Sequence, residues 1–399
     1  IEKTEAIQKT ESYRVYPVKQ EALLEEGWEQ EDSSELGVQS SETENPPAGG
    51  LNSPLSRGVG GVFPSLEKSP TKIPPLAKGG KGGFGLLKEK FLTGKYEGNK
   101  WGGKYLRAPD IFFTILEKGK GKLVRLGDIA EVRRGFTSGA NEFFYLDDES
   151  IRKWGIEDDF LKPVIKSPRE CKSILVRPED LKYKVFMCHK DKKSLKGTNA
   201  LKYIEWGEKE GFHKRPSCAG RRRWWDLGER EKPDYIVPCG IREVFKVFKN
   251  TDVYIDKRLY EIYKDDVCIW GSMNSSLYPL MMEMKTRSYG GGGGPIDATV
   301  YEIETVDVLS PDSVSTTDKK RMLNVLNNMS SREMQSIFTE IGINPDRPIR
   351  EQKPNPLPDR KALDDIVFDI LGLTEDERRE VYWSVCELVK NRLEKARSV

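Results

Sequence analysis

Apolar positions along this chain switch between a helical and a strand-like period. Residues 109–117 carry Ile111, Phe112, Ile115 and Leu116 on one helical face, with Pro109 at the first helical position and Asp110 in the first turn. Leu123–Ala130 suits a strand and then a short helix. "EVRRG" reads as a second strand entering a Gly-containing loop, and "NEFFYL" as a strand rich in aromatics. "FLKPVIKSPREC" and "KYKVFMCHKD" are strand-like. Helical spacing returns over Asn199–Glu210, with Leu201, Ile204 and Glu205. "YIVPCGIREVFKVFKNTDVYIDKRLYEIY" then alternates in strand fashion. "SMNSSLYPLMMEMKTRS" predicts an apolar helix interrupted or kinked by Pro279. The glycine run 290–294 breaks the chain before a strand in "DATVYEIETVDVL". Helices are expected near 317–329, 331–341, 359–371 and 374–396. In the last, Thr374 precedes Glu377 by three, a capping box, and Val381, Val385, Leu388 and Val389 share a face. There is no internal repeat. The fold class expected is mixed α+β: a twisted, mostly antiparallel sheet region followed by a C-terminal helical region.

The pattern fails between about residues 32 and 92. That stretch, dense in Gly, Pro, Ser and Lys, cannot bury enough surface to offset its ordering entropy and reads as a disordered insertion. Residues 1–31, with a strand expected at Tyr13–Val18, read as the remnant of a linker to a missing domain. Residues 93–312 form the expected sheet domain and 313–399 the helical region. The chain of 399 residues is long enough for a substantial core. It begins with Ile and shows no basic-then-apolar leader, as expected of a fragment of a longer reading frame. No run of eighteen apolar residues exists, so no membrane partner is expected. The six cysteines, at 171, 188, 218, 239, 268 and 386, are too widely spread for a disulfide framework and suit a reducing cytoplasm.

The net charge of +2 conceals an asymmetry. Residues 161–225 hold 18 Lys and Arg against 7 Asp and Glu, whereas residues 1–40 hold 4 against 10. A basic block inside a near-neutral chain is either a solvated lysine-rich surface or an electrostatic footprint for phosphates. Two loops sharpen the second reading. "EVRRGFTSGANEFFYL" offers Arg133, Arg134, Thr137, Ser138 and Asn141, which can donate to phosphate oxygens or to base edges. "HKRPSCAGRRRWWDLG" places Lys214, Arg215, Arg221, Arg222 and Arg223 beside Trp224 and Trp225. One tryptophan is expected in the core, and the other is left to support an arginine or stack on a base. These eleven side chains, Trp224 included and Trp225 not, are the expected nucleic-acid-binding set. Plain structural roles for both segments, a Gly-requiring turn and a charged surface loop, stand beside this reading.

Other chemistry finds little support. Cys188–His189 and His213…Cys218 lack the close ligand pair of a zinc site, so no metal is expected. The glycine run matches neither phosphate-loop pattern. "NPPA" at 45–48 replaces the aromatic of an amino-methyltransferase motif with Ala48 and lies in the insertion. No catalytic residues are assigned.

Taken in order, "YEGNKWGGKYLRAPDIFFTILEK", "LGDIAEVRRGFTSGANEFFYL", "KRPSCAGRRRWWDLG", "NSSLYPLMMEMKTRSYGGGGGPIDATVYEIETVDVLSP" and "DRKALDDIVFDILGLTEDERREVYWSVCELVKNRLEKA" resemble the C-terminal half of adenine-N6 DNA methyltransferases of restriction-modification systems, the single-chain Type IIG enzymes and their relatives. The likeness runs over roughly residues 93–399, and residues 10–30 resemble the segment just upstream. The resemblance implies a target-recognition, or specificity, domain whose partners are double-stranded DNA and a methyltransferase catalytic domain, in cis or in trans. It implies S-adenosylmethionine in that missing half and no cofactor in this chain. It does not say which residues read bases. The competing expectations are a structural remnant without function and an RNA-binding module.

Overall fold

The computed structural model describes residues 8–9, 14–15, 107–288 and 294–397. The chain divides near residue 101. In the first unit the described residues are two short antiparallel strands, β1 (Gln8–Lys9) and β2 (Arg14–Val15), with Gln8 opposite Val15. The expected strand at Tyr13–Val18 is thus described only at Arg14–Val15. The insertion at 32–92 lies outside the described residues.

The second unit opens with α1 (Asp110–Lys118), β3 (Leu123–Arg125), α2 (Leu126–Ile129), β4 (Glu131–Arg134), α3 (Asn141–Phe144), β5 (Tyr145–Leu146) and α4 (Asp148–Trp154). It continues through β6 (Leu161–Ile165), β7 (Tyr183–Phe186), α5 (Asn199–Lys209), α6 (Pro216–Ala219), β8 (Tyr235–Pro238), β9 (Gly240–Ile241), β10 (Phe248–Lys249), β11 (Tyr254–Ile255) and β12 (Leu259–Tyr263). The remainder is α7 (Val267–Ser272), α8 (Leu277–Lys285), β13 (Ile296–Asp297), α9 (Val300–Glu304), β14 (Asp307–Leu309), α10 (Thr316–Met329), α11 (Ile337–Ile341), α12 (Pro358–Leu371) and α13 (Glu375–Arg397).

Two four-stranded sheets organise these elements. The first, in the order β10-β8-β12-β4, is antiparallel throughout. Its central strands β8 and β12 are almost wholly buried, so they carry apolar side chains on both faces. The second, β11-β6-β7-β5, is antiparallel except for the parallel β11–β6 pair. A mixed α+β fold with mostly antiparallel sheets is what the periodicity predicts.

Around the first sheet, α1, α7, α8, α10, α12 and α13 build one continuous core. On α13, Val381, Val385 and Val389 face inward, as their spacing requires, and the capping box forms in both directions between Thr374 and Glu377. The second sheet carries its own core, dominated by aromatics. Phe143 stacks on Tyr203 with 4.6 Å between centroids, and Phe186, Trp206 and Phe212 surround the pair. A small cluster that includes Ile165, Ile236, Phe248 and Ile255 joins the two where the sheets meet.

Five local expectations need correction. The helix expected near 331–341 forms only over Ile337–Ile341, where Ser336 caps it by accepting from Thr339 N. Pro109 is the extended N-cap of α1, not its first helical residue. "NEFFYL" is a helical turn followed by a two-residue strand. Phe143 and Phe144 are both fully buried in one core. Adjacent strand residues would point to opposite faces, whereas a helical turn lets both face inward. Pro279 does not kink α8, because it sits in the first turn, where its missing N–H has no partner to lose. "DATVYEIETVDVL" is not one strand: α9 interrupts it, started by a capping box between Thr299 and Glu302.

Buried polar groups lock the helical side of the unit. Fully buried Asp364 on α12 accepts from Ser276 N at 2.6 Å and Ser276 Oγ at 2.7 Å, fixing α12 to the start of α8. Burial pushes its carboxyl up to about 6, from an ordinary 3.8. Between these values the folded chain binds more protons than the unfolded chain. The contribution of this group is therefore greatest below about pH 4 and falls as pH rises through 6. Asp364→Asn removes that dependence. The stability of the native chain minus that of the variant is expected to fall by up to about 3 kcal/mol between pH 4 and pH 7. Urea unfolding of both chains at the two pH values measures it, and a constant difference rules the ionisation out as a determinant.

Candidate nucleic-acid interface

The two loops singled out by composition meet in space. The first leaves the edge strand β4 at Gly135. A Cβ there would lie 2.3 Å from Asp256 O, so only glycine permits the crossing. Beyond it the loop is stitched to the turn between β11 and β12. Gly135 N donates to Leu259 O at 3.0 Å, Phe136 N to Ile255 O at 3.2 Å, and Lys257 N to Phe136 O at 3.0 Å. Buried Asp256 accepts the Tyr145 hydroxyl at 2.5 Å, tying this turn to β5. Gly139 adopts φ +79°, and a Cβ there would meet Ser217 Cβ at 2.7 Å. The loop therefore lies directly against α6, which belongs to the second basic segment.

Arg221 holds the junction. One Nη donates to Thr137 O at 2.8 Å and to Ser138 O at 2.9 Å, and the other to Trp224 O at 3.2 Å. Its guanidinium lies 5.4 Å from the Phe144 ring centroid. Burial pulls its pKa below the usual arginine value. Arg223 is also engaged internally, with two bonds to Asp226 at 3.0 and 2.5 Å. Against burial, which raises it, the Asp226 carboxyl is held below its ordinary value by Arg223, Gly228 N and His189. Arg215 donates to Glu142 Oε2 at 2.7 Å and lies over the Phe212 ring. The hydrogen bond from Arg215 holds the Glu142 carboxyl low.

The tryptophan expectation is corrected. Trp224 and Trp225 are both 7% exposed, so neither presents a face for stacking on a base. Trp224 packs 4.6 Å from Phe143 and its Nε1 donates to Glu208 Oε1 at 3.1 Å. The Nε1 of Trp225 donates to Lys190 O. Adjacent residues reach one core because the segment 221–225 bends and turns and is not a strand.

The remaining expected residues lie on the surface, except Ser138, which is 2% exposed and packed inside the loop, so its side chain is not presented to a phosphate. Arg133, exposed on β4, chelates Glu131 and covers the Tyr263 ring at 4.6 Å. Arg134 donates to Lys257 O at 2.9 Å. The Ser138 hydroxyl bonds Asn141 Oδ1. Thr137, Asn141 and Glu142 on one side, Arg215 and Ser217 on the other, and Lys257 line a shallow polar depression of about 320 Å³. Among the described residues, Lys214, Arg222 and Lys257 are exposed and their side chains make no ion pair or hydrogen bond within the chain. Lys257 was not recognised in the sequence. It sits in "YIDKRLYEIY", where a charged triplet interrupts strand alternation, and that interruption marks the turn.

His189 bonds Asp226 at 2.6 Å and Cys188 Sγ approaches Lys190 O. Among the described residues, no three His, Cys, Asp or Glu side chains gather as a metal ion would require. None of the described helices is long and apolar enough to cross a membrane.

Residues 98–341 match the family described as the C-terminal domain of the Type II methyltransferase M.Eco57I. The chain belongs to this family. The M.Eco57I C-terminal match covers both loops, the depression and both sheets, and ends with α11. Among curated proteins, the chain is 29% identical over 157 residues to the Type II methyltransferase M.AccI of Acinetobacter calcoaceticus. That alignment takes in 38% of this chain and 27% of M.AccI, so the chain spans about a quarter of its relative. Among solved structures, it is similar to the type IIG restriction endonuclease BpuSI, with TM-score 0.49 and 10% identity over 72% of this chain and 33% of that one. It is also similar to the Type IIL restriction-modification enzyme MmeI in complex with DNA, with TM-score 0.44 and 12% identity over 68% and 36%.

Proposed function

We propose that this chain is the double-stranded-DNA recognition half of an adenine-N6 DNA methyltransferase of a restriction-modification system. A catalytic domain, in cis or in trans, holds S-adenosylmethionine and transfers the methyl group. This chain supplies affinity and sequence choice, in the cytoplasm.

One observation carries the reading. Two loops more than seventy residues apart are pinned around a polar depression that unpaired Lys257 helps to line, and the second loop also carries Lys214 and Arg222, exposed cations with no internal partner. Unpaired cations release counterions from DNA, whereas an arginine already neutralised by a carboxylate contributes little net charge. Arg222 is thus the one member of its triplet free for phosphate, while Arg221 and Arg223 hold the loop in place. Arg222→Ala is expected to lower the slope of log affinity against log salt by about one unit without changing thermal stability. Binding isotherms of the full chain across a salt series, with a melting curve, test it. An unchanged slope removes Arg222 from the interface.

The burial of both tryptophans favours duplex over single strands. Single-strand readers stack bases on exposed aromatics, and the basic segment offers none at Trp224 or Trp225. Duplex DNA is expected to displace single-stranded RNA of equal length from the full chain in competition. The reverse order supports an RNA-binding module.

A further inference from the structure

We infer that Arg215 and Glu142 act together as a base-reading pair that selects a G·C base pair in the major groove, while Lys214, Arg222 and Lys257 hold the backbone. The inference rests on the DNA-binding reading above and adds to it the base and the residues that choose it.

The two groups of cations differ in how they are held. Lys214, Arg222 and Lys257 are exposed and unpaired, which suits phosphate, a target that asks mainly for charge. Arg215 is held on two sides. Its Nη1 donates to Glu142 Oε2 at 2.7 Å, and its guanidinium lies 4.7 Å from the centroid of Phe212. The carboxylate largely cancels its charge, so it adds little to phosphate attraction. The carboxylate and the ring together fix the guanidinium plane, so its remaining N–H groups point in a set direction. That arrangement suits a bidentate bond to guanine O6 and N7, where direction matters more than net charge.

Glu142 completes the match. Its side chain is 65% exposed, and Arg215 engages only one of its oxygens, Oε2, which leaves acceptor capacity on the carboxylate facing outward. An exposed carboxylate in a basic surface opposes phosphate but accepts from cytosine N4. Donors on Arg215 beside an acceptor on Glu142, both on the wall of the depression, reproduce the complement of a G·C edge. Asn141, the neighbouring side chain suited to adenine, already takes the Ser138 hydroxyl on its Oδ1.

Selection from a pool of randomised DNA duplexes, sequenced after binding to the full chain, tests the inference. The native chain is expected to enrich G·C at one position. Arg215→Lys keeps the charge but loses the planar fork, and Glu142→Gln loses the anionic acceptor. Each is expected to reduce the preference at that position about tenfold and leave other positions unchanged. Arg222→Ala is expected to weaken all sequences alike. Melting curves identify a variant that fails to fold, in which case the other member of the pair decides. Binding without base preference, or a G·C preference that survives both changes, overturns the inference and leaves the DNA-binding reading intact. No binding of any duplex by the native chain overturns both.

Discussion

Trp224→Ala is expected to destabilise the aromatic core by about 3–5 kcal/mol, the usual range for removing a large buried ring. The ring touches Phe143 and Trp225 and fills the space over Gly207, where a Cβ would lie 2.6 Å from its edge. Its removal also leaves Glu208 Oε1 without its indole donor. Because Arg221 bonds Trp224 O, the loss spreads to the junction between the two loops. DNA affinity is therefore expected to fall together with the melting temperature. Trp224→Phe, which keeps most of the packing, is expected to retain both. A Trp224→Ala chain that melts normally but fails to bind DNA contradicts the packing role and restores the ring as a base-stacking group.

Arg392→Ala is expected to cost about 3–5 kcal/mol on the helical side, because it leaves a buried carboxylate without its partner. Arg392 on α13 and Glu283 on α8 are each 6% exposed, with a closest approach of 2.8 Å. The same guanidinium donates to Gly294 O and Arg242 O, so it joins three separate segments. Burial already pushes the Glu283 carboxyl up, and Arg392 opposes that push. Without Arg392 the carboxyl rises further. The variant then pays most above that raised value, and the penalty shrinks as pH falls and Glu283 takes a proton. Urea unfolding at pH 8 and pH 5 is expected to show the larger deficit at pH 8. The double change Glu283→Leu with Arg392→Met is expected to be less damaging than Arg392→Ala alone, since no buried charge is stranded. A single-variant deficit under about 1 kcal/mol at both pH values contradicts the account.

Much of the fold is legible from local pattern. The helix at Asn199–Lys209 and the final helix with its capping box rest on spacing and on caps that lie within a few residues. The misreadings are instructive. Thr299–Val–Tyr–Glu302 is itself a capping-box pattern, masked by the apolar alternation around it. The Phe143–Phe144 pair reads as strand until the aromatic core that accepts both rings is known.

The candidate site divides in the same way. Both basic loops stand out by composition. What each cation does is non-local: Arg221 is spent on carbonyls 83 and 84 residues away, and Arg215 on a carboxylate 73 residues away. No window of sequence shows that an arginine triplet contains one free charge. Lys257 enters the surface only because β11 and β12 return to the Gly135 loop.

The central claim is that the unpaired cations of the second loop and of the β11–β12 turn bind duplex DNA. The most direct test is the salt dependence of full-chain binding to a random-sequence duplex, for the native protein and for a variant with Lys214, Arg222 and Lys257 all changed to Ala. The account predicts steep dependence for the native chain, a slope lower by about three units in the variant, and equal melting temperatures. Native binding whose slope the three changes leave unaltered contradicts it.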